Sequence, residues 1–198
     1  VIAVPAFTFP AFSRSTVSDL KFLSLYVQNQ ISIGDHFEII GGVRFDRFDL
    51  DVNDIQSSLL LSRTDEKFSP RFGAIYKPQE NISIYASYAK SFLPRSGDQF
   101  LTLTLSNANL APETFENYEI GVKYDLTSGL SLTAALFRLD RDDQSILLDN
   151  QGNSTLSGSR TEGVEFQLVG KLTDQLQINA GYSYLDGQQR NASSLGGQ

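Results

Sequence analysis

The stretch "FENYEIGVKYDL", residues 115–126, alternates oily and wet side chains with a period of two. Tyr118, Ile120, Val122, Tyr124 and Leu126 share one parity, and Glu119, Gly121, Lys123 and Asp125 share the other. Successive side chains of a strand point to opposite faces, so this pattern predicts a β-strand with one apolar and one polar face. It recurs along the chain. In 82–92, Ile82, Ile84, Ala86, Tyr88 and Phe92 oppose Ser83, Tyr85, Ser87, Ala89 and Ser91, with Lys90 breaking the apolar row. Residues 164–172, 176–184 and 68–76 repeat the alternation, and 22–33, 37–49 and 130–148 carry weaker versions, the last losing its parity after Leu136. About eight strands and no helix are expected.

An oily face can meet either a second layer of protein or lipid. No run approaches the ~18 uninterrupted apolar residues of a membrane helix. Barrel strands carry half as many apolar residues and escape such a scan. The net charge of −7 argues against a nucleic-acid partner, which needs a basic face. Without cysteine there is no disulfide framework or zinc knuckle, as suits an exported bacterial protein. The chain begins at Val1 and ends in "NASSLGGQ", and is expected to be a piece of something longer.

The connections decide between lipid and protein. "GDH" (34–36), "KPQEN" (77–81), "LTSGL" (126–130) and "LTDQL" (172–176) have the Gly, Asp, Asn, Ser and Pro of tight hairpin turns. The segments 52–64, 94–114 and 149–158 are long and polar. Short and long alternate strictly, which in an up-and-down meander gathers the short turns at one end and the long loops at the other. Outer-membrane barrels have that polarity, whereas a Greek-key sandwich mixes its connections. Charge collects where strands run into the long loops, as in "VRFDRFDLDVND" (43–54) and "FRLDRDDQ" (137–144), and charge is costly at bilayer depth. These segments are expected to stand above the membrane as strand extensions. Tyr26, Phe37, Phe68, Tyr76, Tyr88, Phe92, Tyr118 and Tyr124 fall near strand ends, where an interfacial girdle needs them. The expected fold is all-β: an antiparallel up-and-down transmembrane β-barrel segment.

"ISIYASYAKSFLPRSGDQF", "NLAPETFENYEIGVKYDL", "LSLTAALFRLDR" and "GSRTEGVEFQLVGKLTDQLQINAGYSYLDG", with "GGVRFDRFD" upstream, occur in an order that resembles consecutive strands of a TonB-dependent siderophore receptor. The likeness covers roughly residues 20–187 and leans towards the branch handling ferric catecholates. It implies a barrel of about 22 strands plugged by an N-terminal domain, in the outer membrane of a Gram-negative bacterium. Residues 1–198 would be part of that barrel domain, without the plug and remaining strands. The implied function is capture of a ferric siderophore outside and import with energy from the TonB–ExbB–ExbD complex. The implied partners are the siderophore, that complex through the plug, and outer-membrane lipid, with no intrinsic cofactor and no nucleic acid.

Within that reading the long external loop 93–114 is the candidate ligand site. Arg95, Gln99 and Phe100, with Tyr88 or Phe92 below, offer the cationic, amide and aromatic groups that an anionic chelate needs; the competing role for Arg95 is an ion pair with Asp98. Glu116 and Glu119 are expected at the lumen or loop base, with Gly121 letting the polar face approach its neighbours and Arg160 hydrogen-bonding at a loop exit. Asp49, Asp51 and Asp54 lack the Gly and distal Glu of a calcium loop, so they are expected in a solvated strand extension with "RFDRFD" making cross-strand ion pairs, and the Asp140, Asp142, Asp143 cluster is read the same way. His36 is the only histidine, and no nucleophile or phosphate-loop motif occurs, so neither a metal site nor an enzyme is indicated. The alternatives are a receptor of the same architecture for haem, cobalamin or an oligosaccharide, a small eight-stranded structural or adhesive barrel, and a soluble β-sandwich.

Overall fold

The computed structural model describes residues 15–94, 110–147 and 154–190. They form eight strands and no helix: β1 (Thr16–Ile33), β2 (Phe37–Asp54), β3 (Leu59–Gln79), β4 (Ile82–Leu93), β5 (Glu113–Thr127), β6 (Leu130–Leu147), β7 (Ser154–Thr173) and β8 (Leu176–Arg190). Each pairs antiparallel with the next, in the order β1-β2-β3-β4-β5-β6-β7-β8. β1 and β8 do not touch, and among the described residues no second layer covers either face. A closed eight-stranded barrel and a sandwich are therefore both excluded for this part of the chain.

Pairing register sorts the side chains onto two faces. One row crosses all eight strands through Ile31, Ile39, Ala74, Ala86, Ile120, Leu136, Val164 and Tyr184. A slip of one residue anywhere would move a whole strand's apolar set to the wrong side. This apolar face is uncovered: Phe68 is 66% exposed, Leu136 57% and Ile120 53%. Among the described residues, prolines aside, only Leu50 and Val52 are buried apolar side chains. A water-soluble domain of this length hides most of its large apolar residues and rarely leaves so wide a patch open.

The two rims differ. On one, the strands are joined through 34–36, 80–81, 128–129 and 174–175. Neighbouring turns are tied together there: the His36, Asn81 and Gly129 carbonyls accept from the N–H groups of Lys77 (2.7 Å), Asp125 (2.8 Å) and Lys171 (2.8 Å). A register shift lies beside each tie, within Tyr76–Gln79, Asp125–Thr127 and Lys171–Thr173. Gly170 makes the last of these possible, with φ +140 and a position where a Cβ would lie 2.0 Å from the Gly129 carbonyl oxygen.

On the opposite rim the connection expected as a long loop over 52–64 is only residues 55–58. The strands run through the polar segment because its charges are one face of an alternation: Asp49, Asp51 and Ser62 on one side, Leu50, Val52 and Leu61 on the other. The Asp54 carboxylate accepts from the N–H groups of Gln56 and Ser57, and Ser58 turns the chain with φ 55. From Phe68 to this tip the hairpin extends about 33 Å along the strand.

Candidate functional site

The apolar face stops at a boundary. On β5, Leu126, Tyr124, Val122, Ile120 and Tyr118 are followed on the same side by Glu116, which accepts from Lys90 Nζ at 2.7 Å and from the Tyr118 hydroxyl at 3.1 Å. On β6, Leu132, Ala134 and Leu136 give way to Arg138 and Asp140; between β2 and β3, Phe45 and Phe68 give way to Arg47 and Glu66, paired at 2.9 Å. Aromatic pairs mark the line, with ring centroids 5.0 Å apart for Tyr88–Tyr118 and 5.1 Å for Phe45–Phe68. Phe37 and Tyr76 stack at 4.7 Å near the short-turn rim. From Glu116 to Leu126 is about 33 Å along the strand. At the usual barrel tilt that is ~25 Å of height, the apolar band of an outer-membrane barrel.

Beyond the boundary the parity inverts. Phe22, Phe48, Leu50, Val52 and Leu61 occupy the side that is polar lower down, with Leu20 and Leu61 packing against Leu50 and Val52. This inversion explains why the sequence pattern breaks at Lys90 and after Leu136: the strands continue, but the side facing outward there is charged. Glu116 and Glu119, both expected at the lumen or loop base, are separated by strand parity. They differ by an odd number of residues and lie on opposite faces, Glu119 receiving the Tyr85 hydroxyl at 2.6 Å.

The charged belt on the outer side centres on Asp140, nearly buried between Arg138 (2.8 Å) and Arg160 (2.6 Å). The hydrogen bond from Arg160, followed by that from Arg138, holds the Asp140 carboxyl below the ordinary carboxylate range, against a burial that pushes it upward. Arg160 is thus the hydrogen-bonding residue the sequence suggested. The "RFDRFD" ion pairs run mostly along the strand, Arg44 to Asp46 and Arg47 to Asp49, because residues two apart share a face; Arg47–Glu66 crosses strands. Arg63–Asp65 (2.7 Å) repeats this spacing on the polar side of the sheet, the side that also carries Arg44–Asp46, with Asp65 buried. Among the described residues no group of three metal-ligating side chains comes together.

The polar face is built around close approaches. The Tyr85 ring lies over Gly121, where a Cβ would meet it at 2.6 Å, and the Phe137 ring lies over Gly163 at 2.7 Å. Each glycine is the direct cross-strand neighbour of its aromatic, so the ring covers backbone that a side chain would otherwise shield. Nearer the loop rim, Arg141 donates to Glu113 at 2.6 Å with its guanidinium 5.4 Å from the Phe115 ring.

Of the five candidate ligand contacts, Arg95, Gln99 and Phe100 lie outside the described residues. Tyr88 sits on the apolar face in the girdle row with Phe72 and Tyr118. Phe92 lies past the last β3–β4 pair, Arg71–Ala89, where β4 has left β3, and its ring meets Phe48 edge-on at 6.0 Å. Two cations the sequence pattern did not single out, Lys67 and Arg71, also sit on the polar face; their only signal was charge on the wet parity of "KFSPRFGAIY".

Residues 3–198 match the family described as TonB dependent receptor-like, beta-barrel. A relative named probable TonB-dependent siderophore receptor PiuA, from Acinetobacter baumannii, is 34% identical over 83% of this chain and 24% of its own length. The crystal structure of the siderophore receptor PiuA from that organism superposes with a TM-score of 0.79 at 30% identity, over 87% of this chain and 26% of the other. The metal-pseudopaline receptor CntO of Pseudomonas aeruginosa is 29% identical over 90% of this chain and 26% of its own length. The chain thus spans about a quarter of the length of these relatives. It belongs to the TonB-dependent receptor family and lies within the β-barrel of that family. These are transport receptors of the Gram-negative outer membrane.

Proposed function

We propose that this chain is a stretch of the wall and external loops of an outer-membrane importer of ferric siderophores, energised through TonB and its ExbB–ExbD partners. The observation that carries this is the single-layer sheet whose uncovered apolar face ends at aromatic rows and charge about 25 Å apart. That face holds the wall in lipid, and the polar face lines a lumen occupied by a plug from elsewhere in the protein. The siderophore as cargo is supported by the 34% identical relative, which is named as a probable siderophore receptor. Phe92, Arg95, Gln99 and Phe100 are the proposed ligand contacts of the loop. The relative named for metal-pseudopaline favours a second reading, in which the cargo is a chelate of another metal.

The test uses the full-length receptor. Cells expressing it should take up iron from ferric siderophores only while TonB is present, and the purified protein should bind the iron-loaded chelator in preference to the free one. Replacing Arg95 and Gln99 together by Ala should weaken binding about tenfold; unchanged affinity would retire those contacts. Uptake of a nickel or zinc chelate in place of iron would select the second reading.

A further inference from the structure

One polar side chain interrupts the apolar face at mid-depth. Asn29 shares that side of β1 with Leu25, Val27, Ile31 and Ile33, and pairs directly with Gly41 of β2, which pairs in turn with Phe72 of β3. On β2 the band runs from Phe37, stacked on Tyr76 near the short-turn rim, to Phe45, packed on Phe68 at the upper edge. Gly41 stands midway between them, about 13 Å along the strand from each, and Asn29 lies beside it. Among the described residues Asn29 is the only carboxamide or charged group between the edges of the band. Its amide has no hydrogen-bond partner among the described residues. The neighbours on its face offer none, since Gly41 has no side chain and those of Val27 and Ile31 are hydrocarbon. A lysine or arginine at such a depth reaches the headgroups along its own stem, and asparagine is too short to do so. Two N–H donors and a carbonyl oxygen left in hydrocarbon are costly, so a polar group held at this depth marks a contact. The surroundings suit close approach: a Cβ on Gly41 would lie 3.8 Å from the Phe72 ring, and Ala74 continues the shallow step in the next row.

We infer that this patch, Asn29 with Gly41, Val27 and Ile31, is where a second copy of the receptor packs laterally in the outer membrane, the two Asn29 amides hydrogen-bonding to each other across a two-fold axis. Lipid does not satisfy the amide, because acyl chains carry neither donor nor acceptor at that depth. A two-fold axis sets a residue against itself, and a carboxamide complements itself, each N–H donating to the other's oxygen. Small residues beside the amide let the two walls approach, and one polar pair fixes the register of a contact that is otherwise uniform hydrocarbon. The inference depends on this face meeting lipid and is independent of which cargo the receptor carries.

The test is disulfide cross-linking of the full-length receptor in outer-membrane vesicles from cells that express two differently tagged copies. This chain has no cysteine of its own, and any elsewhere in the receptor is replaced by serine. Ile31→Cys keeps Asn29 and puts a thiol at the next outward position of β1. Oxidation with copper–phenanthroline, which enters the bilayer, then traps neighbouring copies as a species of twice the mass carrying both tags. Its yield should exceed that of Val122→Cys, at mid-depth on β5, by about fivefold or more. Adding Asn29→Leu should bring the yield down to the Val122→Cys level, and Asn29→Gln, which keeps an amide, should retain most of it. Asn29→Leu places hydrocarbon in hydrocarbon, so the folded fraction, read by heat-modifiable gel mobility, should stay unchanged. The inference is overturned if Ile31→Cys cross-links no better than Val122→Cys, if Asn29→Leu leaves the yield intact, or if the trapped species carries one tag and a different protein. A fall in the folded fraction of Asn29→Leu overturns it as well, because the partner of the amide would then lie within the same barrel.

Discussion

Ile120 stands at the middle of the β5 apolar segment, and its 53% exposure gives opposite forecasts in water and in lipid. On a water-facing sheet, an exposed Ile→Arg change usually costs within ~0.5 kcal/mol. At the midplane of an outer-membrane barrel the same change costs about 2–4 kcal/mol, falling to ~0–1 near the interface. Glu116 and Leu126 bracket the apolar segment, which puts Ile120 and Val122 at its centre and Thr114 above its edge. Ile120→Arg should therefore destabilise the full-length receptor by about 2–4 kcal/mol, a factor of roughly thirty to several hundred in the folding equilibrium. Thr114→Arg, on the same face of the same strand and opposite Asp142, should cost less than about 1 kcal/mol. Guanidinium titration of the receptor in phospholipid vesicles, with folded protein scored by its heat-modifiable gel mobility, gives both values. Equal costs at the two positions, or an Ile120→Arg midpoint matching wild type, would refute the assignment of this face to lipid.

Gly170→Ala, with its positive φ and its Cβ site 2.0 Å from the Gly129 carbonyl oxygen, should cost about 2–4 kcal/mol in the same titration. Gly181→Ala, whose nearest contact would be the Phe166 carbonyl oxygen at 3.7 Å, should cost under ~1 kcal/mol; similar values for the two would show that the short-turn rim relaxes freely. Because Asp140 titrates lower in the folded state than in the unfolded one, its stabilisation is complete above the ordinary carboxylate pKa of about 3.9 and is lost as pH falls through the folded value. Hydrogen-exchange protection of the β6–β7 extension around Arg138 and Arg160 should hold down to about pH 4 and fall below it, and Asp140→Asn should begin low and stay flat. Identical pH profiles for the two proteins would show that the Arg138–Asp140–Arg160 contact does not hold the extension together.

The alternation that placed β4, β5, β7 and β8 was legible because each has one face apolar for most of its length. It failed as a guide in two places, for one reason. Above the girdle the environments of the two faces exchange, so Lys90 and Arg138 looked like errors in the pattern, and the start of β3 through Leu59, Leu61 and Arg63 looked like loop composition. The loop contacts Arg95, Gln99 and Phe100 came from residue type alone, and nothing periodic marks their surroundings.

Periodicity and turn residues by themselves determined that the chain is all strand, how many strands there are, and which residues share a face. These are local properties, set by the two-residue repeat of an extended backbone and the angles that Gly, Asn and Asp allow. Only the tertiary structure decided what each face meets. Register brings Tyr85 over Gly121, Arg160 onto Asp140, and Arg44 beside Lys67 and Arg71, across strands whose spacing in the chain carries no trace of the contact. That choice belongs to the sheet, because pairing energy and lateral packing are shared among strands and cannot be assigned to any one of them.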